Sequence, residues 1–551
     1  MILIRPFRGR VAASLALALA IGACRPSAPA GPSPSPVPGE APAPVPYVPL
    51  TQGLPPIPAV DAPLAIRLVA PEPGQSRPSR ASAFLYGSVG TGGAALLVNG
   101  TQVPVAPNGA FIAYLPVPAD GVWRLQAFKN GQTAEASYTY RVSGGETQSQ
   151  ADTATEAGPQ DTAATTAPPS RIAFSAPRAG RVVRGGDTLA TGSDAVYARP
   201  TPTGGYRWFF PRGTNLVLLE RSGGQYRVQL GGTETAWIDT ANVRLSADTT
   251  AAAAAAAPML GRQRTVTTGA APELRVPGGF APFLVEADSA GVRVTVYGAA
   301  AAGAGGDLRV ATDDFVTAAR QERVAAEVER FHLQLSRWVW GYKAFYEADG
   351  TLVVRLRRPP RIDPANPLRG IRIVVDPGHP PAGAIGPTGY HEKDANLGIG
   401  LRLAERLRAA GADVRITRTA DVVVDLAARP AMAVAQDAEL LISVHNNAFG
   451  EAANPVRDHG TSAYWFRPFS ADLCRTLDRE IAGVTRIPDL GAKYGNLALV
   501  RPTWMPSCLT ESLFMPIPEQ ESALKDPAFL DRLAEAHVRG IAEFLRMRAG
   551  R

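Results

Sequence analysis

The 551-residue chain is poor in charge and in cysteine, and past its N-terminus it has no apolar run long enough to cross a bilayer. Charged residues make up only 19% of it, and 56 Lys+Arg against 49 Asp+Glu leave a net charge of +7. There is no dense basic run and no interleaved aromatic stripe, so nucleic acid is excluded as a partner, and mild attraction to anionic polymers is the most the charge supports. Of three cysteines, only Cys474 and Cys508 lie outside the first 24 residues. Their spacing leaves both a bridge and two buried thiols open, because a bridge is decided by Cβ separation. What the chain has in quantity is 54 Gly and 50 Pro. At ~150 residues per domain its length predicts three or four folded modules, and the Gly and Pro suggest spacers between them.

The N-terminus has the arrangement of a secretory signal, with Arg5, Arg8 and Arg10 ahead of the apolar run "VAASLALALAIGA". The run stops at Cys24 in "IGAC", which resembles the lipobox of bacterial lipoproteins. That resemblance implies lipidation of Cys24 and a membrane-anchored chain. Arg25 stands where an Asp would favour inner-membrane retention, so in a cell with two membranes an outer-membrane anchor facing the periplasm is expected. Residues 25–64 are rich in Pro, Ala and Ser and read as a tether. At ~3.1 Å per residue in polyproline geometry, ~40 residues reach ~120 Å.

Two or three small all-β domains are expected next. Residues 65–142 alternate apolar and polar over short runs separated by Asn99-Gly100, Asn108-Gly109, Asp120-Gly121 and Asn130-Gly131, the pattern of an immunoglobulin-like sandwich. After a linker at 143–175, residues 176–247 resemble bacterial Src-homology-type barrels, read equally as wall-binding or as a spacer. An Ala-rich linker at 248–271 precedes an accessory β domain at 272–360, where Phe331, Leu333 and Leu335 alternate inward and His332 faces the other way as an ordinary strand residue.

From residue 369 to 549 the period changes to alternating strands and helices, which predicts an α/β sheet with helices on both faces. Its first helix is expected with Asp394 as N-cap, an apolar face of Leu397, Leu401, Ala404 and Leu407, and a stop at Gly411. Ligands of such sheets bind at the carboxyl ends of strands. Here His379 follows "IRIVVDPG", His445 closes "LLISV", Glu511 closes "SCLT", and Glu392 arrives from the loop "PPAGAIGPTGYHE". Two imidazoles and a carboxylate are a set that holds catalytic zinc and leaves a position for water, with a further carboxylate available as base. Singly, each has an ordinary structural explanation; the argument is their joint placement.

Together "VVDPGHPPAGAIGPTGYHEKDANL", "VRITRTAD", "SVHNNA" and "PSCLTESLF" resemble the zinc-dependent N-acetylmuramoyl-L-alanine amidases over about residues 370–549. The resemblance implies one Zn²⁺ held by His379, Glu392 and His445, with Glu511 as the catalytic carboxylate. It implies peptidoglycan as partner and hydrolysis of the amide between N-acetylmuramic acid and L-alanine of the stem peptide. Pro380 and Pro381 replace the family's usual glycines, and "SLFMPIPEQ" replaces a polar motif after Glu511. No insertion between Asn447 and Asn496 is long enough for an inhibitory helix, and no regulatory partner is legible. His391 and Asn447 are candidate substrate contacts. Arg418 and Arg429 are expected either to hold loops or to meet substrate carboxylates, and His459 and His537 are read as surface residues. Two other readings stay open: a zinc peptidase or amidase acting on another envelope bond, and a non-catalytic wall-tethering lipoprotein.

Overall fold

The computed structural model describes residues 42–549, apart from 73–75, 78–79, 140, 143–170, 193–195, 247–258, 261–264, 289–290, 299, 302–304, 312, 382 and 451–452. The signal segment, Cys24 and the first part of the tether lie outside the described residues, as do most of the two linkers. The protein is multidomain, with small all-β sheets followed by a C-terminal α/β domain.

The first β module pairs a three-stranded sheet (Arg67–Ala70, Ser82–Ser88, Ala110–Pro116) with a four-stranded one (Ala95–Val98, Thr101–Val103, Val122–Lys129, Gln132–Thr139) around Leu85, Leu96, Phe111, Trp123 and Leu125. Its hairpin turns at Asn99-Gly100 and Asn130-Gly131 have positive φ at both residues, which is why Asn and Gly stand there. Two expected linker edges need correction, because pairing partners absorb them. Arg171–Val182 is already a strand of the five-stranded second module, and Thr265–Thr267 pairs with Glu273–Pro277 in the third.

In the α/β domain the elements are β1 (Arg372–Pro377), α1 (Glu392–Ala409), β2 (Asp413–Ile416), α2 (Ala428–Ala435), β3 (Leu440–Asn447), β4 (Thr461–Trp465), α3 (Ala471–Thr485), β5 (Asp489–Tyr494), β6 (Ser507–Phe514), α4 (Pro518–Ala523) and α5 (Pro527–Ala549). The sheet order is β2-β1-β3-β6-β4-β5; the first four strands are parallel, and β4 and β5 run against them. Strand β5 and helix α4 have no counterpart in the sequence expectation.

Side chains alternate between two cores along these strands. Ile373, Val375, Ile442, Val444 and Cys508 face helices α1, α3 and α5 through Ile399, Leu403, Leu477, Ile481, Leu533 and Phe544. Val374, Leu441 and Leu509 face the other way, into a core shared with Ala433 of α2 and with Phe209, Phe331, Val339, Tyr342 and Val354 of the β modules. Helices do lie on both faces, but the second face is covered mainly by β structure. Trp340 Nε1 donates to the Glu439 carbonyl at 2.8 Å, and the Arg357 guanidinium donates to the Asp437 carbonyl at 2.9 Å and the Trp504 carbonyl at 3.2 Å. The accessory domain is thereby fastened to the α/β one. Cys474 of α3 and Cys508 of β6 are joined in a buried disulfide with Cα atoms 5.5 Å apart, which settles the pairing that spacing left open.

The expected face of α1 is corrected in part: Ala404 and Leu407 are buried, but Leu397 is half-buried and Leu401 is 39% exposed, and the buried row also holds Glu392, Ala395, Asn396, Ile399, Gly400 and Leu403. The helix starts at Glu392 itself, after His391 as N-cap, so Asp394 lies within the first turn. Because Glu392 must point inward, residues at +4, +7, +11 and +15 follow it. Gly411, at φ +89°, ends the helix as expected.

Two further corrections concern burial. His537, read as a surface residue, is fully buried on α5: its Nδ1 lies 2.8 Å from the Leu533 carbonyl and its Nε2 3.0 Å from the Thr510 hydroxyl, and burial lowers its pKa to about 4. His459 is also buried, with Nδ1 2.8 Å from the Pro455 carbonyl. The tether reading fails for residues 47–54, which are fastened to α4. The Tyr47 hydroxyl and the Thr51 amide (2.7 Å) donate to the buried Glu519 carboxylate, Gln520 Nε2 donates to Thr51 Oγ1 (2.9 Å), and Leu54 packs on the helical core. Proline-rich composition forbids an autonomous core, yet it does not forbid docking on another one.

Two predictions arise here. Glu519→Ala should cost about 1–3 kcal/mol in chemical denaturation, because it orphans a buried amide and a half-buried hydroxyl; an unchanged midpoint would show that the strap contributes nothing. An unfolded His537 takes up a proton near pH 6.5 and the folded one only near 4, so stability should fall by roughly 3 kcal/mol as pH drops through that window. Comparing wild type with His537→Gln across pH 7 to 4 checks it, since the variant should lack that slope.

Candidate functional site

Polar residues replace apolar ones where β1, β3 and β6 reach their carboxyl ends. Asp376 registers with Ser443, and His445 registers with Glu511 in the parallel β3–β6 pair, so the last two share a face of the sheet. His379 lies two residues past β1 with a left-handed φ of 59°. Gly378 before it can only be glycine, since a Cβ there would stand 2.1 Å from Cε1 of His445.

Glu392 is the centre of the cluster. Its Oε2 lies 3.2 Å from His379 Nε2 and its Oε1 lies 3.1 Å from His445 Nδ1, and the three donor atoms all fall within 4.8 Å of one another. Two ligands held at ~2.0–2.1 Å by one tetrahedral ion stand about 3.3 Å apart, so the donor set fits a metal ion. The carboxylate is 4% exposed. Burial alone would raise its pKa, but hydrogen bonding to His379 and His445 outweighs this and holds it well below the usual carboxylate range. Asn396 Nδ2 (3.0 Å) and the amides of Asn446 (3.2 Å) and Ala384 (2.9 Å) also donate to it. Asn446 Nδ2 in turn donates to Asn396 Oδ1 at 2.9 Å.

Two arginines fix the backbone around His379. Arg418 donates to the carbonyls of Pro377 (2.9 Å), Gly378 (2.9 Å) and Lys393 (2.6 Å). Arg429 donates to those of Pro377 (3.0 Å), His379 (3.1 Å) and Pro380 (3.1 Å), and to Asp376 Oδ1 at 2.9 Å. Thr417 and Ser443 complete the Asp376 shell at 2.6 and 2.8 Å. Both arginines are 3% exposed. Of the two roles weighed from the sequence, loop-holding is the one these contacts describe; binding of substrate carboxylates is corrected, because the guanidinium groups are spent inside.

His391 is exposed beside Glu392, and Asn447 is half-buried at the end of β3, its Oδ1 accepting from the Ala448 amide at 2.8 Å. The sequence reading missed Asn396, Asn446, Asp376 and Glu521. Glu521 of α4 is fully buried and accepts from the Thr388 amide (3.1 Å), the Thr388 hydroxyl (2.8 Å) and the Tyr390 amide (3.2 Å), pinning the loop between His379 and Glu392. Burial raises its pKa. The signal available was "PEQES", a polar stretch directly after an apolar strand.

The mixed sheet of this α/β domain thus carries a His–Glu–His set that could hold a metal ion, with the Glu511 carboxylate in register beside His445. Residues 373–543 match the family model described as N-acetylmuramoyl-L-alanine amidase, and this C-terminal domain belongs to that family. The chain is 34% identical over 180 residues to the probable cell wall amidase LytH of Staphylococcus aureus, covering 32% of this chain and 59% of that protein's length. Among solved structures, the catalytic domain of CwlV, an N-acetylmuramoyl-L-alanine amidase from Bacillus (Paenibacillus) polymyxa var. colistinus, is 30% identical, with 32% of this chain and 98% of that one covered and a TM-score of 0.30. The amidase AmiC2 of Nostoc punctiforme is 31% identical, with 32% and 97% covered and a TM-score of 0.30.

Removing the clamp should loosen the donor set without touching it. Arg429→Ala is expected to weaken zinc binding by about 10–100-fold in a chelator competition, the usual effect of losing a supporting partner. Affinity equal to wild type would show that His379 is positioned without it.

Proposed function

We propose that the protein is a zinc-dependent peptidoglycan amidase that hydrolyses the bond between N-acetylmuramic acid and L-alanine of the stem peptide. It would work in the cell envelope, anchored through a lipidated Cys24. What supports this reading most is the Glu392-centred donor set, with Glu511 in register beside His445, inside a domain of the amidase family.

His379, Glu392 and His445 would hold the zinc. When bound, zinc supplies a Lewis acid that brings the pKa of a water towards ~7 and polarises a carbonyl, which an unreactive amide requires. Glu511, 7% exposed within β6 and in register with His445, takes the proton from the attacking water and passes it to the departing alanine amine. The C–N bond breaks as the new C–O bond forms. Asn396 and Asn446 keep Glu392 oriented, and the arginine clamp keeps the His379 backbone in place. His391 and Asn447 flank the donors and are assigned to the substrate surface.

Purified sacculi incubated with the protein should release stem peptides with free N-terminal alanine, seen by mass spectrometry, and a chelator should abolish the release. Glu511→Ala should retain zinc while losing at least ~10²-fold in rate, whereas His379→Ala should lose both. An active Glu511→Ala variant would remove its assigned role, and binding to sacculi without release would favour the tethering reading.

A further inference from the structure

The loop between His379 and Glu392 contains two glycines whose missing side chains are replaced by groups from elsewhere. A Cβ on Gly386 would stand 2.5 Å from the Glu521 carboxyl carbon, so that glycine admits the α4 carboxylate described above. A Cβ on Gly389 would stand 2.5 Å from Nη1 and 3.3 Å from Cζ of Arg67. Gly389 also has φ +89°, so it is fixed as glycine twice over. Arg67 belongs to the first strand of the first β module, more than 300 residues away in sequence. It is exposed, and among the described residues its guanidinium has no ion pair or hydrogen bond. A cation is therefore laid against the metal-site loop and left with its donors open.

The module that delivers Arg67 is docked at this place. Phe84 packs edge-on against Phe449 with centroids 5.6 Å apart, and Phe449 lies 4.8 Å from Phe514, the last residue of β6. Phe449 itself follows His445 by four residues. Ala70, Phe84 and Tyr86 form a small core with Phe449 against them, so the module meets the catalytic domain through the loops that follow the His445 and Glu511 strands.

Gly389 is three residues before Glu392, so its Cα is at most about 11 Å from that ligand. An extended peptide whose first amide sits at the donor set places its second and third residues about 7–11 Å away by the same spacing. Stem peptides carry free carboxylates at these positions, and a guanidinium with open donors is the group suited to them. We propose that Arg67 is a specificity-determining residue of the active site, contributed by the first β module to bind a carboxylate of an acidic stem peptide. This rests on the amidase reading. It also gives the first β module a role in the substrate cleft in addition to any as a spacer.

The test compares the zinc-loaded full chain, wild type and Arg67→Ala, on a muramyl peptide with free carboxylates and on the same peptide with those carboxylates amidated. Arg67→Ala should raise KM on the acidic substrate by about 3–10-fold with kcat little changed, and should not alter KM on the amidated one. Arg67→Lys should fall between, and the difference should shrink in high salt. Equal KM values on the acidic substrate, or equal rises on both, would overturn the assignment; the second would mark Arg67 as a docking contact. Should wild type cleave neither substrate, the amidase reading fails by itself. Calorimetric binding of the acidic peptide then decides Arg67, with an unchanged Kd in Arg67→Ala counting against it.

Discussion

A carboxylate buried between two imidazoles is the constraint on which the catalytic domain is built. An ionised group removed from water costs several kcal/mol unless its lone pairs are satisfied, and Glu392 is surrounded by His379, His445, Asn396 and two backbone amides. Those partners come from both ends of the β1–α1 connection, from β3 and from α1, so satisfying one side chain brings three segments together. The same demand sets the rotation of α1. With Glu392 at its first position and turned inward, the apolar row must follow through Ile399, Leu403 and Leu407, and Leu401 is left in solvent.

The loop between the first two donors is held from within and from outside. Gly386 donates to the Tyr390 carbonyl and Gly389 to that of Gly386, Ala384 and Tyr390 pack on the helical core, and buried side chains from other segments complete its support. Arg418 and Arg429 take consecutive carbonyls from Pro377 to Pro380, Glu521 takes the amides of Thr388 and Tyr390, and Glu392 takes that of Ala384. A segment gripped by side chains from other elements needs small residues so that those side chains can approach. Gly378, Gly386 and Gly389 are each explained by a particular neighbour: His445, Glu521 and Arg67. The composition that reads as an unstructured connection is in fact the composition of a tightly gripped one.

The α/β alternation and the gathering of His379 and His445 near strand ends were legible because period and strand-end chemistry are local in sequence, whereas Glu511, expected to close its strand, lies within β6, which runs on to Phe514. Less legible was whatever depends on a distant partner. The leucines of α1 offer two offset apolar rows, and only the inward Glu392 selects between them. His459 and His537 have polar side chains that read as solvated, yet each finds a carbonyl four residues back and is buried with it. The short strand β5 and helix α4 lack the length for a periodic signal, and the strap at Tyr47–Leu54 is hidden by the prolines around it. The second face of the sheet reads from sequence as a helical layer, but its partner is the β core of residues some 20 to 300 positions upstream, a contact that no local pattern encodes.

Helix α4 shows how these distant contacts converge. Six residues are too few to hold a helix by backbone hydrogen bonds alone, since nucleation is barely repaid over so short a length. Its persistence must come from its side chains, and three in a row are buried and polar. Successive helical residues point about 100° apart, so Glu519 faces the strap, Gln520 accepts from the Phe514 amide at the end of β6 while donating to Thr51, and Glu521 faces the metal-site loop. One turn thus joins the N-terminal segment, the strand carrying Glu511 and the loop carrying Glu392. The strap and the donor loop thus share one short helix as their common support. This accounts for the polar run Glu519–Ser522, where apolar residues would have packed the helix and left the loop without its Glu521 contacts.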